Sequence, residues 1–497
     1  MTHTVIVGAG PVGLFTALLL AAEGQQVTVL ESDPAKWSQE DSPTRGAPRP
    51  GAPHSNHPHL LLPAGLDILE CEMPDFTAAL LAGGGQRYNM VAGAWNVGAV
   101  GPQRTQDSDF DTVAMSRFTL EHVLRDRVRQ TPRIALHYGL GVTGFLSAEV
   151  GMAGRRFITG VITADGAQWK ADLVVDASGR NTRLPELLAE MGLAPLKRFG
   201  SRGFRHYTRS FRSRGGVQPV QRTWHLTHHN SLSLLTTPAD EGTWSVSLVT
   251  SSRDQALRAL ADSDLWTRTV ALLPGMHEWL DGEPTTDVQE MVSSGSVRRS
   301  IISRGKPIAS GLVLIGDAWA TTNDQFGVGL TMGAAQAVLL RNAVWKVGAT
   351  DVGELAAAYE ADSQELIAPV WNRSIAWERH RLAEIDAQMT GHAYVTHDTQ
   401  WSLWSEVASS QLQDPEVFRA QAAIDSLLTS PAEGFLSLEA AQRLRSLKRD
   451  QPYRAEQGPS RSALLSALRL PTGGHPLVPG QDLCGVPSMF GVGVGPR

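Results

Sequence analysis

The sequence predicts an α/β protein in which a parallel βαβ domain is interleaved with an antiparallel-sheet domain and followed by a helical region. Three observations predict this class. The chain opens on an apolar strand, a glycine-rich turn and a helix; residues 203–252 alternate apolar and polar side chains; helical spacing dominates from 330 to about 450. The predicted domains are 1–200 with 288–345, then 201–287, then 346–497 with its Gly/Pro-rich tail.

The composition excludes several kinds of partner. The 497 residues carry 44 Lys and Arg against 50 Asp and Glu, a net charge of −6, whereas nucleic-acid-binding chains show a basic stripe. Cys71 and Cys484 are too few for a disulfide framework, which fits a reducing cytoplasm. The longest apolar run, Leu14 to Ala22, is too short for a membrane span, and no signal sequence precedes the first strand. We therefore expect a cytoplasmic protein with no membrane span and no nucleic-acid partner.

The first elements form a Rossmann-like unit. The pattern Gly8-x-Gly10-x-x-Gly13 follows a strand at 4–8 and opens a helix at 11–24. The first glycine permits a tight turn, the second lets backbone approach a pyrophosphate, and the third packs helix against strand. The helix N-terminus adds free N–H groups and a positive dipole. This combination predicts dinucleotide binding rather than a simple turn.

An acidic residue closes the second strand. Glu31 ends the strand at 26–31, 18 residues after Gly13. A carboxylate here accepts hydrogen bonds from a ribose 2′-hydroxyl, which disfavours a 2′-phosphate. The tightly bound nucleotide is therefore predicted to be FAD or NAD rather than NADP.

The remaining elements follow from apolar spacing and turn residues. In chain order they are a proline-rich loop at 33–58, helices at about 63–83 and 117–130, short strands over 133–176, antiparallel strands at Arg222–Thr227, Ser231–Thr236 and Thr243–Thr250, a helix at 254–273, a strand at Val288–Ser303 and a buried strand at 311–316.

Three histidines in the long loop have a spacing that suits a metal. They are His54, His57 and His59, but no carboxylate or cysteine nearby completes a site. No metal site is therefore predicted.

Two later segments decide which nucleotide is bound. They are Val174-Val175-Asp176-Ala177-Ser178-Gly179-Arg180, and Gly316-Asp317-Ala318 followed by Gly327-Val328-Gly329-Leu330. Together with the N-terminal glycines, they resemble the flavoprotein monooxygenases of the para-hydroxybenzoate hydroxylase fold. The resemblance covers about residues 1–345 and implies FAD as the cofactor.

The resemblance assigns roles along the flavin. Gly316 and Asp317 are expected to hold the ribityl chain. Gly327, Gly329, Leu330 and Thr331 are expected beside the ring, where a helix N-terminus stabilises the reduced, anionic flavin.

Further positions correspond to the nucleotide half of FAD. Arg117, in Ser116-Arg117-x-x-Leu120, resembles the arginine that reaches the phosphates, although a solvated helix face also explains it and Arg125. Val142 stands where backbone contacts adenine. By a narrower resemblance to bacterial flavin oxygenases and polyene epoxidases, Arg49 and His59 are candidates to touch FAD or substrate, with loop packing the alternative.

The antiparallel sheet is expected to roof the flavin. Trp224 and Leu226 are then candidate substrate-lining residues, with core or surface positions as alternatives. The C-terminal region contains four tryptophans that either cap a lipophilic pocket, form an interface or build a core: Trp371, Trp377, Trp401 and Trp404.

One position departs from the family pattern Asn-Pro-x-x-Gly-x-Gly. This chain reads Asn323-Asp324-Gln325-Phe326-Gly327-Val328-Gly329, with Asp324 in place of proline. Two interpretations stay open: Asp324 caps the coming helix, or it hydrogen-bonds the reactive oxygen or substrate.

The resemblance implies a monooxygenase whose FAD C4a-hydroperoxide hydroxylates or epoxidises a lipophilic small molecule, consuming O₂, in bacterial secondary metabolism. NADPH or NADH is the expected reductant, directly, with Arg180 and Arg183 helping it dock, or through a separate flavin reductase. The alternative is a reductase or dehydrogenase of the geranylgeranyl-reductase kind. A flavin-dependent halogenase is disfavoured, because that family needs a lysine near the flavin and none lies between Lys36 and Lys170.

Overall fold

The computed structural model describes most of the chain. The described residues are 2–34, 58–96, 100–150, 155–200, 203–221, 224–240, 242–293, 295–348, 351–410, 413–430, 446 and 458–470.

The strands of the described residues belong to one parallel sheet, one mixed sheet and several antiparallel sheets. They are β1 (His3–Val7), β2 (Gln26–Glu31), β3 (Pro58–Leu60), β4 (Gln86–Asn89), β5 (Asp111–Ser116), β6 (Ile134–Tyr138), β7 (Val142–Val150), β8 (Arg155–Thr163), β9 (Gln168–Lys170), β10 (Leu173–Asp176), β11 (Leu196–Phe199), β12 (Phe204–Arg212), β13 (Leu226–His228), β14 (Leu232–Pro238), β15 (Thr243–Ser251), β16 (Glu283–Pro284), β17 (Gln289–Val292), β18 (Val297–Ser300), β19 (Ile302–Ser303), β20 (Lys306–Pro307), β21 (Ala309–Ser310) and β22 (Leu312–Leu314).

The α-helices pack between and outside these sheets. They are α1 (Pro11–Ala22), α2 (Pro63–Glu72), α3 (Phe76–Ala82), α4 (Arg117–Arg129), α5 (Leu184–Glu190), α6 (Ser263–Ala271), α7 (His277–Leu280), α8 (Val328–Val347), α9 (Val352–Leu366), α10 (Ala368–Met389), α11 (Thr399–Ser410), α12 (Pro415–Asp425) and α13 (Arg461–Leu468).

The parallel sheet is covered on both faces. Its strand order is β22-β10-β1-β2-β6, and all pairs are parallel. Ile6 on β1 faces an apolar core shared with α1, α4 and α8, whereas its neighbour Val5 faces the β7–β8 sheet through Val161. This two-sided burial explains why its strands are nearly continuous apolar runs. The predicted βαβ opening is confirmed.

The second sheet has the order β13-β14-β15-β12-β16, with β17 also paired to β12. Its two faces follow the strand period of two. Tyr207 and Val246 lie on the face that packs against Trp266 of α6 and Leu465 of α13. The opposite face is turned towards the large cleft described below.

Two predicted elements are interrupted in the structure. The helix predicted at 63–83 is two helices, because Pro74 cannot continue α2 and Asp75 adopts a φ of 68° before α3. The strand predicted at Val288–Ser303 is three short strands in three sheets. The chain leaves the second sheet after β17 and turns at Gly295, whose φ is 85°, before β18 pairs with β11.

The helix predicted at 254–273 is a 3₁₀ helix at Ala256–Ala261 followed by α6, because Asp262 caps a new helix. Other predicted elements are present or lie outside the described residues. The segment after 330 is helical through α8 to α12. The strand predicted from Arg222 begins at Leu226, with 222–223 outside the described residues. The tail at 471–497 lies outside them as well. No helix among the described residues is long and apolar enough to cross a membrane. The domain boundaries stay a prediction.

Candidate cofactor cleft and active site

One large cleft, with a volume of about 580 Å³, lies at the carboxyl ends of the parallel strands. Its wall includes Val7, Glu31, Asp176 and Ile315, which end or follow β1, β2, β10 and β22. Open parallel sheets bind ligands at this edge. The antiparallel sheet closes the cleft from the other side.

The glycine turn admits no side chains where it meets its neighbours. A Cβ added at Gly8, whose φ is 106°, would lie 2.6 Å from the Ala177 carbonyl oxygen. A Cβ at Gly13 would lie 2.1 Å from the Gly8 oxygen. Gly10 precedes α1, and the nearest atom to a Cβ there is Arg117 Nη2, at 3.6 Å. The turn therefore leaves bare backbone at the cleft wall.

Glu31 is held rigidly at one end of the cleft. Its Oε2 accepts from the Ala9 amide at 2.9 Å, and its Oε1 from the Asp33 amide at 2.9 Å. Val142 lines the same end. Backbone amides thus orient the carboxylate that the sequence assigns to a ribose.

Arg117 starts α4 beside Gly10, where the helix is capped by Ser116. Its Nε donates to Glu121 Oε1 at 2.7 Å, and Arg125 donates to the other oxygen at 2.5 Å. The two arginines therefore differ in role. Arg117 lines the cleft, as predicted, whereas Arg125 is a buried partner of Glu121 and is absent from the lining.

An arginine that was not predicted from the sequence holds the turn at Gly316-Asp317-Ala318 by hydrogen bonds to its backbone. Arg299, on β18, donates from Nη1 to the Asp317 and Ala318 carbonyl oxygens at 3.2 Å each, and from Nη2 to the Arg180 carbonyl at 3.4 Å. The available signal was a pair of charges, Arg298 and Arg299, inside the strand predicted at Val288–Ser303. Such a charge is retained only where it is paired.

The segment after β10 is a compact hydrogen-bonded turn. Asp176 accepts from Ser178 Oγ and from Thr182 Oγ1, both at 2.5 Å. Burial raises the pKa of Asp176, against the effect of these hydrogen bonds. The turn holds Arg180 at the cleft wall.

Arg180 bridges two carboxylates in the cleft. Its Nη2 lies 2.7 Å from Asp324 Oδ1, and its Nε lies 3.7 Å from Asp317 Oδ2. Burial raises the pKa of Asp317, and the Arg180 charge opposes that shift. Burial acts to lower the pKa of Arg180, but Asp324 and Asp317 raise it overall.

This bridge corrects the helix-capping interpretation of Asp324. The residue that precedes α8 is Gly327, with a φ of 65° and no side-chain cap. Asp324 lies three residues earlier, in a short 3₁₀ turn, and pairs with Arg180. An ion pair thus stands where related chains have the fixed φ of proline.

The first turn of α8 forms the next part of the wall. Gly327, Gly329 and Leu330 line the cleft, as predicted. Thr331 does not: its side chain is buried, and a Cβ at Gly65 of α2 would meet its Oγ1 at 2.5 Å. The Thr331 side chain packs against α2 because it projects from the opposite side of the helix.

The antiparallel sheet contributes a largely polar face. Its cleft-lining residues alternate along four strands and are His206, Thr208, Leu235, Thr237, Ser245, Ser247 and Met291. The Thr208 and Ser247 hydroxyls are 2.6 Å apart. The alternation was visible in the sequence, but which face meets the cleft was not.

The predicted substrate-lining pair is wrong. Trp224 lies beside a separate cavity of about 40 Å³, with His225 and Trp279. Leu226 is buried in β13 and lines neither cavity. The strand was predicted from Arg222, whereas β13 covers only Leu226–His228 at the edge of the sheet.

The remaining candidates are only partly described. Arg49 lies outside the described residues, as do His54 and His57. The backbone of His59 is in β3, opposite Met115 of β5. Within the described part of the chain, no group of three or more His, Cys, Asp or Glu side chains could hold a metal ion.

The C-terminal tryptophans are absent from the described cleft lining. Trp371 donates to the Thr321 carbonyl at 2.9 Å. Trp377 and Trp401 belong to an apolar core with Phe204. This favours the core interpretation over a cap on the pocket.

The residues present fit FAD. A bare glycine turn and Arg117 suit a pyrophosphate, and Glu31 with Val142 suits adenosine. Asp317 lines the same cleft beside the α8 turn, with its Oδ1 3.7 Å from the position of a Cβ at Gly329, and so suits a ribityl contact. The arrangement therefore fits an FAD site at the carboxyl edge of the parallel sheet.

Comparison with known proteins agrees. A family model described as an FAD binding domain matches residues 1–44. Protein Rv3254 of Mycobacterium tuberculosis is 25% identical over 492 residues, covering 91% of this chain and 96% of that protein.

Two solved structures share the fold at low identity. PqsL, a probable FAD-dependent monooxygenase from Pseudomonas aeruginosa, superposes with a TM-score of 0.57 at 15% identity, over 86% of this chain and 100% of that one. The p-nitrophenol 4-monooxygenase PnpA from Pseudomonas putida gives 0.56 at 17% identity, over 86% and 100%. The predicted fold is confirmed, and the match to an FAD binding domain supports FAD as the predicted cofactor.

Proposed function

We propose that the protein is an FAD-dependent monooxygenase that hydroxylates or epoxidises a small organic molecule bearing hydrogen-bonding groups. One observation carries the proposal: the first turn of α8 and the polar face of the antiparallel sheet line a single cleft. Bound FAD supplies the activation of O₂ and the transfer of one oxygen atom to the substrate.

The chain's own residues bind and orient. Glu31 and Arg117 would hold the nucleotide half of FAD, and Asp317 the ribityl hydroxyls. The backbone N–H groups at the start of α8 would favour negative charge on a group bound there. The antiparallel sheet would cover the same part of the cleft and exclude water from it.

The sheet also sets the substrate class. The sequence favours a lipophilic molecule, and Leu235 and Met291 provide apolar contact. Thr208, Thr237 and Ser247 add hydroxyls that donate or accept. A planar aromatic or polyketide-like compound with phenol or carbonyl oxygens satisfies both kinds of surface.

The reductant is NADPH or NADH, either docking transiently or acting through a separate reductase. Arg180 is engaged by two carboxylates, whereas Arg183 lines the cleft mouth and is exposed. We therefore assign nicotinamide docking to Arg183 rather than Arg180.

The test is mass spectrometry of products formed under ¹⁸O₂ from a panel of phenols and aromatic ketones, with NADPH or NADH and a general flavin reductase. A product containing one ¹⁸O atom supports the proposal. A product that gains or loses two hydrogens without ¹⁸O supports the reductase or dehydrogenase alternative and overturns oxygen insertion.

A further inference from the structure

Four oxidisable rings form a continuous row in α10, α11 and the segment that joins them. We call Trp377, Trp404, Trp401 and Tyr394 the aromatic row. Its ring centroids are separated by 6.2 Å from Trp377 to Trp404, 5.0 Å from Trp404 to Trp401, and 6.5 Å from Trp401 to Tyr394. Adjacent rings are thus within contact or near-contact distance along the whole row.

The inner end of the row lies directly behind the cleft wall. Phe326 belongs to the 3₁₀ turn between Gln325 and Gly327, both of which line the cleft. Its ring meets Trp377 edge-on, with 4.9 Å between centroids. Because this turn leads into α8 at the expected flavin ring, one phenyl ring separates Trp377 from the lining.

The outer end of the row carries a proton acceptor. The Tyr394 hydroxyl lies 2.7 Å from His380 Nδ1, and His380 Nε2 lies 3.0 Å from Asp398 Oδ2. With Nε2–H donating to the carboxylate, Nδ1 accepts from the phenol. Tyr394 is half-buried, next to the exposed segment around Val395.

The two ends therefore suit different steps of electron transfer. The indole Nε1 of Trp377 is buried and has no hydrogen-bond partner within the described part of the chain. An indole radical cation at this position has no base to take its proton. It therefore stays a strong oxidant that can accept an electron from a neighbouring ring. A phenol loses its electron readily only as its proton leaves, and His380 provides for that.

We propose that the aromatic row is a one-electron path that carries oxidising equivalents from the flavin cleft to the protein surface. An oxidant in the cleft, such as light-excited oxidised flavin, takes one electron from Trp377. Trp404 then reduces the Trp377 radical, and Trp401 reduces the Trp404 radical. Tyr394 supplies the last electron to Trp401. Its phenolic proton moves to His380 Nδ1, leaving a neutral tyrosyl radical, a protonated His380 paired with Asp398, and a flavin reduced by one electron.

When the cleft holds no substrate, an oxidant formed there would otherwise attack the residues around it. The path carries that oxidising equivalent away and so protects the cofactor site from oxidation. It rests on the proposed binding of FAD. No tryptophan or tyrosine is among the described residues that line the cleft, so light-driven reduction of the flavin is expected to draw on the row.

The first test excites FAD-loaded protein with blue light and follows flavin emission lifetime and the electron paramagnetic resonance signal. Wild type is expected to give short-lived emission and a tyrosyl radical. Trp377→Phe should lengthen the lifetime and lose the radical. Tyr394→Phe should keep the short lifetime and leave the radical on tryptophan. An unchanged lifetime and radical in Trp377→Phe would overturn the proposal.

Matched controls isolate the row. Trp371→Phe removes a buried tryptophan outside the row, and Trp37→Phe tests one outside the described residues; both should behave as wild type. If Trp377→Phe fails to fold, Trp404→Phe, at a half-buried position, must lose the tyrosyl radical instead.

A second measurement does not depend on FAD. Azidyl radicals generated by pulse radiolysis oxidise tryptophan in the apoprotein. The tryptophan radical absorbance should convert to tyrosyl absorbance in wild type, and this conversion should be lost in Tyr394→Phe. Failure of the protein to bind FAD would overturn the proposed function and the path from the flavin together, whereas absence of this conversion in protein that binds FAD would overturn the path alone.

Discussion

At the scale of single residues, the cleft depends on arginines that look alike in sequence and differ in surroundings. Arg117 and Arg125 share the carboxylate of Glu121, but only Arg117 reaches the cleft. A charge that meets a phosphate contributes to ligand affinity, whereas a charge buried against a carboxylate contributes to folding. The same residue type thus serves two purposes about two turns apart on one helix.

This difference gives a first prediction. Arg117→Met should weaken FAD affinity by about tenfold, since a charge-assisted hydrogen bond to phosphate contributes about 1.5 kcal/mol. Arg125→Met should leave FAD affinity unchanged and lower the free energy of unfolding. Flavin fluorescence titration and chemical denaturation measure the two. Equal losses of FAD affinity in both variants would contradict the assignment.

A second prediction concerns the pair that replaces the proline. Asp324→Asn and Arg180→Met should each lower the free energy of unfolding, and the double variant should cost less than their sum. For a largely buried pair we expect a coupling of about 1 kcal/mol or more. Denaturation of the four members of the cycle measures it. Strict additivity would mean that the ion pair does not fix this turn.

At the scale of elements, the antiparallel sheet has one face that packs into a core and one face that lines the cleft and is available to a substrate. Its odd and even positions face different environments: Tyr207 and Val246 pack into a core, while Thr208 and Ser247 face the cleft. A hydroxyl on the cleft face is therefore available to substrate at no cost to that core.

The third prediction uses this alternation. Once a substrate is known, Ser247→Ala should raise its KM about fivefold, corresponding to a lost hydrogen bond of about 1 kcal/mol, with FAD affinity unchanged. Thr250→Val, on the same strand but outside the cleft lining, is the matched control and should leave KM unchanged. Steady-state kinetics decide. A wild-type KM in Ser247→Ala would remove this hydroxyl from substrate binding.

A buried ion pair attaches α12 to the first half of the chain. Arg419 donates to both oxygens of Asp107, at 2.7 and 2.8 Å, and the Asp107 side chain is fully buried. The neighbouring pair of Arg104 and Glu416 is more than one-third exposed on both sides. The degree of burial of each ion pair, rather than the number of pairs, should therefore decide how much it contributes to the free energy of unfolding.

The fourth prediction compares these pairs. Arg419→Met should lower the free energy of unfolding by about 3 kcal/mol, because it leaves the Asp107 carboxylate buried and unpaired. Arg104→Met should cost less than about 1 kcal/mol, as exposed pairs do. Urea denaturation of both variants provides the comparison. Similar losses would show that the Asp107 environment is open to water.

At the scale of the whole molecule, the features that could be predicted from the sequence are those fixed by local sterics and by the order of the strands. Gly8 and Gly13 were predictable because no side chain fits where the backbones meet, and Glu31 because strand length sets its position. Arg180 and Asp324 are 144 positions apart, and no local pattern joins them. Arg299 was missed for the same reason.

The sheet was also only half predictable. Strand alternation revealed two faces, but the partner of each face depends on packing between distant segments. The substrate-lining prediction at Trp224 and Leu226 therefore failed, while the prediction of an antiparallel roof held.

The assignment of FAD to this cleft is tested most directly by the nucleotide that the purified protein releases on denaturation after incubation with FAD and NAD together. Chromatography identifies and quantifies that nucleotide. We expect one FAD per chain, with a lower content in Arg117→Met. Retention of NAD instead, or of no nucleotide at all, would contradict it.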